Sequence, residues 1–218
     1  MHNNAGYTMV GTTRLDNFRA AIEEVDRMGI SGCIVELGVW RGGAMILAAA
    51  VNEESKNSRD LHLFDAFEHI QGYHKAQSFL SVSLKDVRDA FYTFDVMKEN
   101  IYFHKGLFKY TVPAWNKTNT IAVLRIDGNF YDSYQDALYF MYESVPVGGI
   151  IIFDDIFSHE SVKRCWVDFK ADHGLIEDLN RIDVHSAWFR KEVQVKIDMS
   201  KMRRPKDVNK EKNATSVM

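Results

Sequence analysis

Apolar positions along the chain follow two alternating periods. Over residues 14–28, RLDNFRAAIEEVDRM, the residues Leu15, Phe18, Ile22 and Val25 recur at helical spacing on one face. Gly29 and Gly32 interrupt that pattern, and CIVEL then reads as a short buried strand. A helix from Ala44 to about Asn52 follows, then a second strand, LHLF, closing at Asp65. Residues 83–98 read as a helix, IYFHKG as a third strand, IAVLRID as a fourth, Ser133–Val145 as a helix and GIIIFDD as a fifth strand. The next helix starts at Ser158 or Glu160 and stops at Gly174. Strands alternating with helices predict parallel βαβ units with right-handed crossovers. RIDVHS and AWFRKEVQV alternate like strands with no helix between them, so they predict a terminal antiparallel hairpin. The expected fold is α/β, a largely parallel sheet with one reversed strand. Phe91, Tyr92, Phe94, Tyr139, Phe140 and Tyr142 fall at helical spacings and are assigned to the core.

Composition narrows this picture. With 46% hydrophobic and 26% charged residues, 218 residues suffice for one domain with a sizeable core, which excludes global disorder. The net charge of −3 is unevenly placed: from Lys201 onward six Lys/Arg face two acids, a local +4 that leaves −7 on the rest. A nucleic-acid-binding body is not expected on that balance. Residues 1–199 are read as the folded domain and 200–218 as a disordered basic tail. Cys33 and Cys165, both in apolar contexts, are read as buried inert thiols of a reducing compartment. No apolar signal core opens the chain and no run approaches membrane-span length, so the expected location is cytoplasmic, with no membrane partner.

The chemistry is concentrated where strands end. IAVLRID closes at Asp127 and GIIIFDD at Asp154 and Asp155. Side by side and parallel, these strands gather three carboxylates at one sheet edge, where like charges repel unless a cation sits among them. An all-oxygen set suits Mg²⁺ better than zinc. The carboxyl edge of an open α/β sheet is also where ligands bind. The first strand leads into Glu36-Leu-Gly38-Val39-Trp40-Arg41-Gly42-Gly43, a glycine turn ahead of a helix whose N-terminus offers free N–H groups. The dinucleotide fingerprint is not met, because Val39 and Trp40 crowd the place of a pyrophosphate. An acid before the first glycine suits a ligand with a cationic amino group, such as S-adenosylmethionine, and Asp65 at the end of the second strand suits two ribose hydroxyls.

TMVGTTRLDNF, VELGVWRGGA, LFDAFEHI, SVSLKDVRDAF, KGLFKYTVP, LRIDGNFYDSYQDAL and VGGIIIFDDI together resemble, in order and spacing, the macrocin O-methyltransferase family of class I S-adenosylmethionine enzymes, over about residues 8–191. The resemblance implies a Rossmann-like, mostly parallel seven-stranded sheet with helices on both faces. It implies magnesium-dependent methyl transfer to a hydroxyl of a small acceptor such as a sugar or vicinal diol. Carried over, the cofactor site comprises Met9, Glu36, Gly38, Val39, Trp40, Asp65, Ala66, Phe67, Ser83, Lys109 and Tyr110, and the metal ligands are Asp127, Asp154 and Asp155. A homodimer is expected by the same route.

The chain departs from the family in three places. It reads Asp127-Gly128-Asn129 where members usually read DGD, only seven residues precede Thr8, and Asp65-Ala66-Phe67-Glu68-His69 replaces the common DSFEG. Asn129 cannot accept a proton at neutral pH, although it can orient an acceptor. His159, four residues beyond Asp155, is the first candidate for the base, with His69 and His74 as further loop histidines. Three readings follow: an O-methyltransferase; an N- or carboxyl-methyltransferase with the same cofactor; and a non-catalytic cofactor-binding module.

Overall fold

The structure is a computed structural model and describes residues 6–68 and 79–203. Seven strands form one sheet: β1 (Cys33–Leu37), β2 (Leu61–Asp65), β3 (Ile101–Lys105), β4 (Ile121–Ile126), β5 (Ile150–Phe153), β6 (Asn180–Arg181) and β7 (Ala187–Arg190). The order is β3-β2-β1-β4-β5-β7-β6; β1 to β5 are mutually parallel, and β7 runs antiparallel to both β5 and β6. The expected sheet with one reversed strand is what the chain forms.

The central strands β1, β2, β4 and β5 are buried on both faces, and their side chains divide with period two. Ile34, Ile150 and Ile152 join Phe18, Ile22 and Val25 of α1 (Thr12–Arg27), Met45 and Ala48 of α2 (Gly43–Ser55) and Phe91 of α3 (Leu84–Thr93). Val35, Leu37, Leu124, Ile126, Ile151 and Phe153 join the opposite core with α5 (Tyr131–Met141) and α6 (Glu160–His173). The short helix α4 (Phe108–Thr111) precedes β4. Fully burying one such Leu, Ile or Phe contributes roughly 1.5–3 kcal/mol, so the two cores dominate the stability of the sheet.

Three expectations are corrected. α3 ends at Thr93 rather than near residue 98, because Phe94 caps it and Asp95 turns into the left-handed region at φ 56°. Phe91, Tyr139 and Tyr142 are buried as expected, but Tyr92 and Phe94 are exposed, since helical spacing around α3 carries them to its outer side. The folded region also runs past residue 199. Met199–Lys201 form a turn in which Asp198 accepts from the Ser200 N–H at 2.9 Å, and Arg203 pairs with Asp172 at 2.5 Å, tying residues 200–203 to α6. The rest of the basic tail, residues 204–218, lies outside the described residues, as do His69 and His74.

Both cysteines are buried, and burial pushes the Cys33 thiol up to about 12 and that of Cys165 up as well. Among the described residues no helix is long and apolar enough to cross a membrane.

Candidate active site

The sheet order reverses between β1 and β4, where one connection runs outward to β2 and the other to β5. A crevice opens beyond the strand ends at such a switch point. Here it is held tight by Gly38, whose φ of +90° and closeness to β4 exclude any side chain: a Cβ would lie 1.8 Å from the Asp127 carbonyl oxygen. The glycine turn is narrower than its sequence implies. The Gly43 N–H donates to the Tyr7 carbonyl at 3.0 Å, so the segment before α1 caps α2, and that N–H is not free for a ligand.

A cleft of about 340 Å³ lies over this edge, lined by Gly38, Trp40, Asp65 and Ala66 on one side and by Phe108, Lys109, Asp127, Gly128 and Asn129 on the other. Met9, brought over by the N-terminal segment, completes the rim. Among the described residues five lining carboxylates, Asp65, Glu68, Asp127, Asp132 and Asp136, face one lysine, Lys109, a balance that favours a cationic ligand. Asp65 Oδ2 accepts from the N–H groups of Val39 and Trp40 at 2.8 and 3.0 Å, and Oδ1 from Phe67 N–H at 3.1 Å. These bonds fix the carboxylate at the cleft wall. Trp40 adopts φ 49°, unusual for a bulky residue, and is held by its indole N–H donating to the Phe79 carbonyl at 2.9 Å and by Arg41 over its ring at 4.7 Å.

Several expected cofactor residues serve the cleft from outside its lining. Val39 and Phe67 are buried and contribute backbone N–H groups to Asp65. Ser83 caps α3, its hydroxyl accepting from Asp86 N–H at 3.1 Å; Ser81 and Leu80, not singled out from the sequence, line the cleft in that region. Tyr110 is 70% exposed and stacks under Lys109 instead of facing the cleft. Glu36 is 1% exposed and lies beneath the turn, bonded to Arg125.

Asp127, Asp154 and Asp155 converge as expected: each offers a carboxylate oxygen within 4.8 Å of the others. Arg125, on β4 in register with Glu36, sits among them, fully buried. Its Nη2 donates to Asp154 Oδ1 at 2.5 Å, Nη1 to Glu36, and both nitrogens lie 3.2 Å from Asp127 Oδ2. Arg14 of α1 reaches Asp154 Oδ2 at 2.6 Å and Asp183 Oδ2 at 2.7 Å. Tyr134, buried on α5, donates to the Ile126 carbonyl at 2.8 Å and accepts from Asp155 N–H at 3.2 Å, so one hydroxyl aligns the ends of β4 and β5.

Electrostatically the cluster is short of positive charge. Burial and the neighbouring Asp154 hold the Asp127 carboxyl well above the usual carboxylate range, in spite of Arg125. The same two causes raise Asp155, and burial lifts Glu36 to about 7 against the pull of Arg125. Asp155 Oδ2 and Glu36 Oε2 are buried without hydrogen-bond partners among the described residues. Carboxyl groups that resist ionisation, with an orphaned oxygen among them, fit a hard divalent cation bound through oxygen. His159 caps α6 beside this cluster, and its positive form would lower the Asp155 pKa. Asn129, at φ 58°, occupies a left-handed position that Asn and Asp tolerate better than other side chains.

Arg125 and Arg14 were not legible as site residues from motif spacing. The signal for Arg125 is its place within IAVLRID: a charge in a strand buried on both faces requires a partner. Arg14 carries no such signal, since a helix ahead of the first strand gives no indication of which strand end it reaches.

The family described as Macrocin-O-methyltransferase (TylF) matches residues 2–191. The chain is 34% identical over 199 residues to demethyldecarbamoylnovobiocin O-methyltransferase of Streptomyces niveus, covering 85% of this chain and 76% of that protein. It is 29% identical over 202 residues to mycinamicin III 3''-O-methyltransferase of Micromonospora griseorubida, covering 85% and 78%. The solved structure of the O-methyltransferase NovP superposes with a TM-score of 0.82 at 33% identity, over 87% of this chain and 84% of that one. A calicheamicin methyltransferase structure, at 21% identity and TM-score 0.66, shares the fold.

Proposed function

The chain belongs to the macrocin O-methyltransferase family, and from that premise we propose that it transfers the methyl group of S-adenosylmethionine to a hydroxyl of a small sugar-like acceptor, with Mg²⁺ as second cofactor. The relatives are named for O-methylation in novobiocin, tetracenomycin and mycinamicin compounds, which supports a hydroxylated glycoside or related metabolite as acceptor. The observation that carries the reading is the double membership of Asp127: it lines the cleft and also belongs to the three-aspartate cluster. Donor and acceptor halves of a methyl-transfer site then share one residue.

In this reading Asp65 holds the ribose hydroxyls, Gly38 lets the backbone approach the cofactor, and Met9, Trp40, Ala66 and Lys109 enclose it. Glu36, Val39 and Phe67 support that wall from below, while Ser83 contributes through the α3 cap and Tyr110 through its ring beneath Lys109. Asp127, Asp154 and Asp155 hold the cation. When bound, a divalent cation supplies positive charge that lowers the pKa of an acceptor hydroxyl. The sulfonium methyl is already activated, so the remaining work of the protein is alignment of the acceptor oxygen behind it. Asn129 orients the acceptor through its amide, and His159 receives the hydroxyl proton. The protein acts in the cytoplasm on a small molecule and needs neither nucleic acid nor membrane.

The test is incubation of the purified chain with S-adenosylmethionine, magnesium and a panel of hydroxylated glycosides, read by mass spectrometry. A product whose fragmentation places the new methyl on oxygen is expected. Methyl found only on nitrogen or carboxylate, or no transfer to any acceptor class, overturns the reading.

A further inference from the structure

The guanidinium of Arg125 bonds to acids on both sides of the site. It is 1% exposed, and its fork spans the ends of three adjacent strands: Glu36 of β1 on one side, Asp154 beyond β5 on the other, with Asp127 beyond β4 3.2 Å from both terminal nitrogens. A buried arginine placed only for stability needs one well-bonded carboxylate, and breaking such a pair leaves an uncompensated charge. Arg125 instead divides one positive charge among three acids, two of them in the cation cluster and none saturated by it. Glu36 Oε2 keeps no partner among the described residues. Residues behind metal ligands commonly set ligand orientation and metal affinity together.

We propose that Arg125 is a resident counter-charge, anchored on Glu36, that neutralises Asp127 and Asp154 in the metal-free protein and competes with a divalent cation for them. The inference rests on the metal reading above and adds a role for two residues outside the ligand set. Arg125 stabilises the metal-free cluster and opposes the binding of the cation to it. Glu36 governs how strongly it competes, because a guanidinium drawn toward β1 is withdrawn from Asp127 and Asp154. The two halves of the site are therefore coupled through one side chain, and a change at Glu36 is felt at the cation.

The opposing contributions give the variants distinct signatures. Arg125→Met removes the competing charge; it lowers the melting temperature in EDTA yet tightens Mg²⁺ binding about tenfold, so magnesium stabilises it more than wild type. Arg125→Lys keeps the charge and stays within about threefold of the wild-type magnesium affinity. Glu36→Gln, which touches no cluster carboxylate, weakens Mg²⁺ binding about threefold or more, because Arg125 is left to Asp127 and Asp154 alone. The measurement is calorimetric titration of the full chain with MgCl₂, with thermal melts in EDTA and in magnesium; no turnover is needed. Should Arg125→Met fail to fold, the Glu36→Gln titration decides alone. Arg125→Met binding magnesium no tighter than wild type, or Glu36→Gln binding it with wild-type affinity, overturns the inference while leaving the metal site standing. A wild type that binds no magnesium overturns the metal reading and this inference with it.

Discussion

Asp127 and Asp155 are held as reluctant acids, and that has a measurable consequence. A carboxylate must lose its proton before it binds a cation, so metal affinity rises with pH until the ligands are ionised. Because burial and Asp154 raise both groups above the usual carboxylate range, the stabilisation by a fixed magnesium concentration should go on growing as pH rises above the ordinary value of about 4 rather than level off there. The sign for the metal-free protein is opposite. A carboxyl whose folded pKa is raised contributes stability at low pH and loses it as pH rises through the folded value. Thermal melts across a range of pH, with and without magnesium, check both trends, and Asp155→Asn should flatten the magnesium-dependent one. His159 is tested separately. If it takes the hydroxyl proton, His159→Gln should lower kcat by about 100-fold or more with little change in the KM for S-adenosylmethionine. A kcat within twofold of wild type removes His159 from the chemistry and leaves water to carry the proton.

At the scale of elements, the strand ends were the legible part. Alternation fixed β1 to β5, their parallel arrangement and the terminal hairpin, and with them the meeting of Asp127, Asp154 and Asp155, because a parallel sheet brings all strand C-termini to one edge. What the pattern could not supply was the direction of side chains across that edge. Glu36 reads as a ligand for an amino group, but its register partner is Arg125, and the pair closes beneath the turn. Helix ends were less legible for a similar reason: α3 stops at a left-handed Asp95 that carries no glycine or proline to announce it. The glycine turn itself was legible by composition but not by function. Gly38 is also required by the contact between β1 and the end of β4, where the Asp127 carbonyl occupies the place of a side chain. Gly38→Ala combines a steric overlap with a positive φ and should destabilise the protein by on the order of 3 kcal/mol. Urea unfolding checks this, and a loss of under about 1 kcal/mol would show that the two strand ends can separate.

Across the described residues the molecule is a seven-stranded sheet with the cleft and the acid cluster at one edge. Two cores, one under α1 to α3 and the other under α5 and α6, clamp the strands. The segment ahead of α1 brings Met9 to the cleft, and the first turn of α1 brings Arg14 to Asp154. Fold and cofactor class were readable because many short motifs in one order carry more information than any single one. The acceptor was not readable, because its identity depends on the shape of the cleft rim formed by side chains such as Phe108, Phe130 and Leu80, whose spacing in sequence says nothing of their spacing in space. The central claim is that methyl transfer uses the acid cluster as a cation site, and its most direct test is turnover in EDTA and after magnesium is restored, for wild type and for Asp154→Ala/Asp155→Ala. The account predicts transfer that stops in EDTA, returns with magnesium and is absent from the double variant under both conditions; undiminished transfer in EDTA or in the double variant would contradict it.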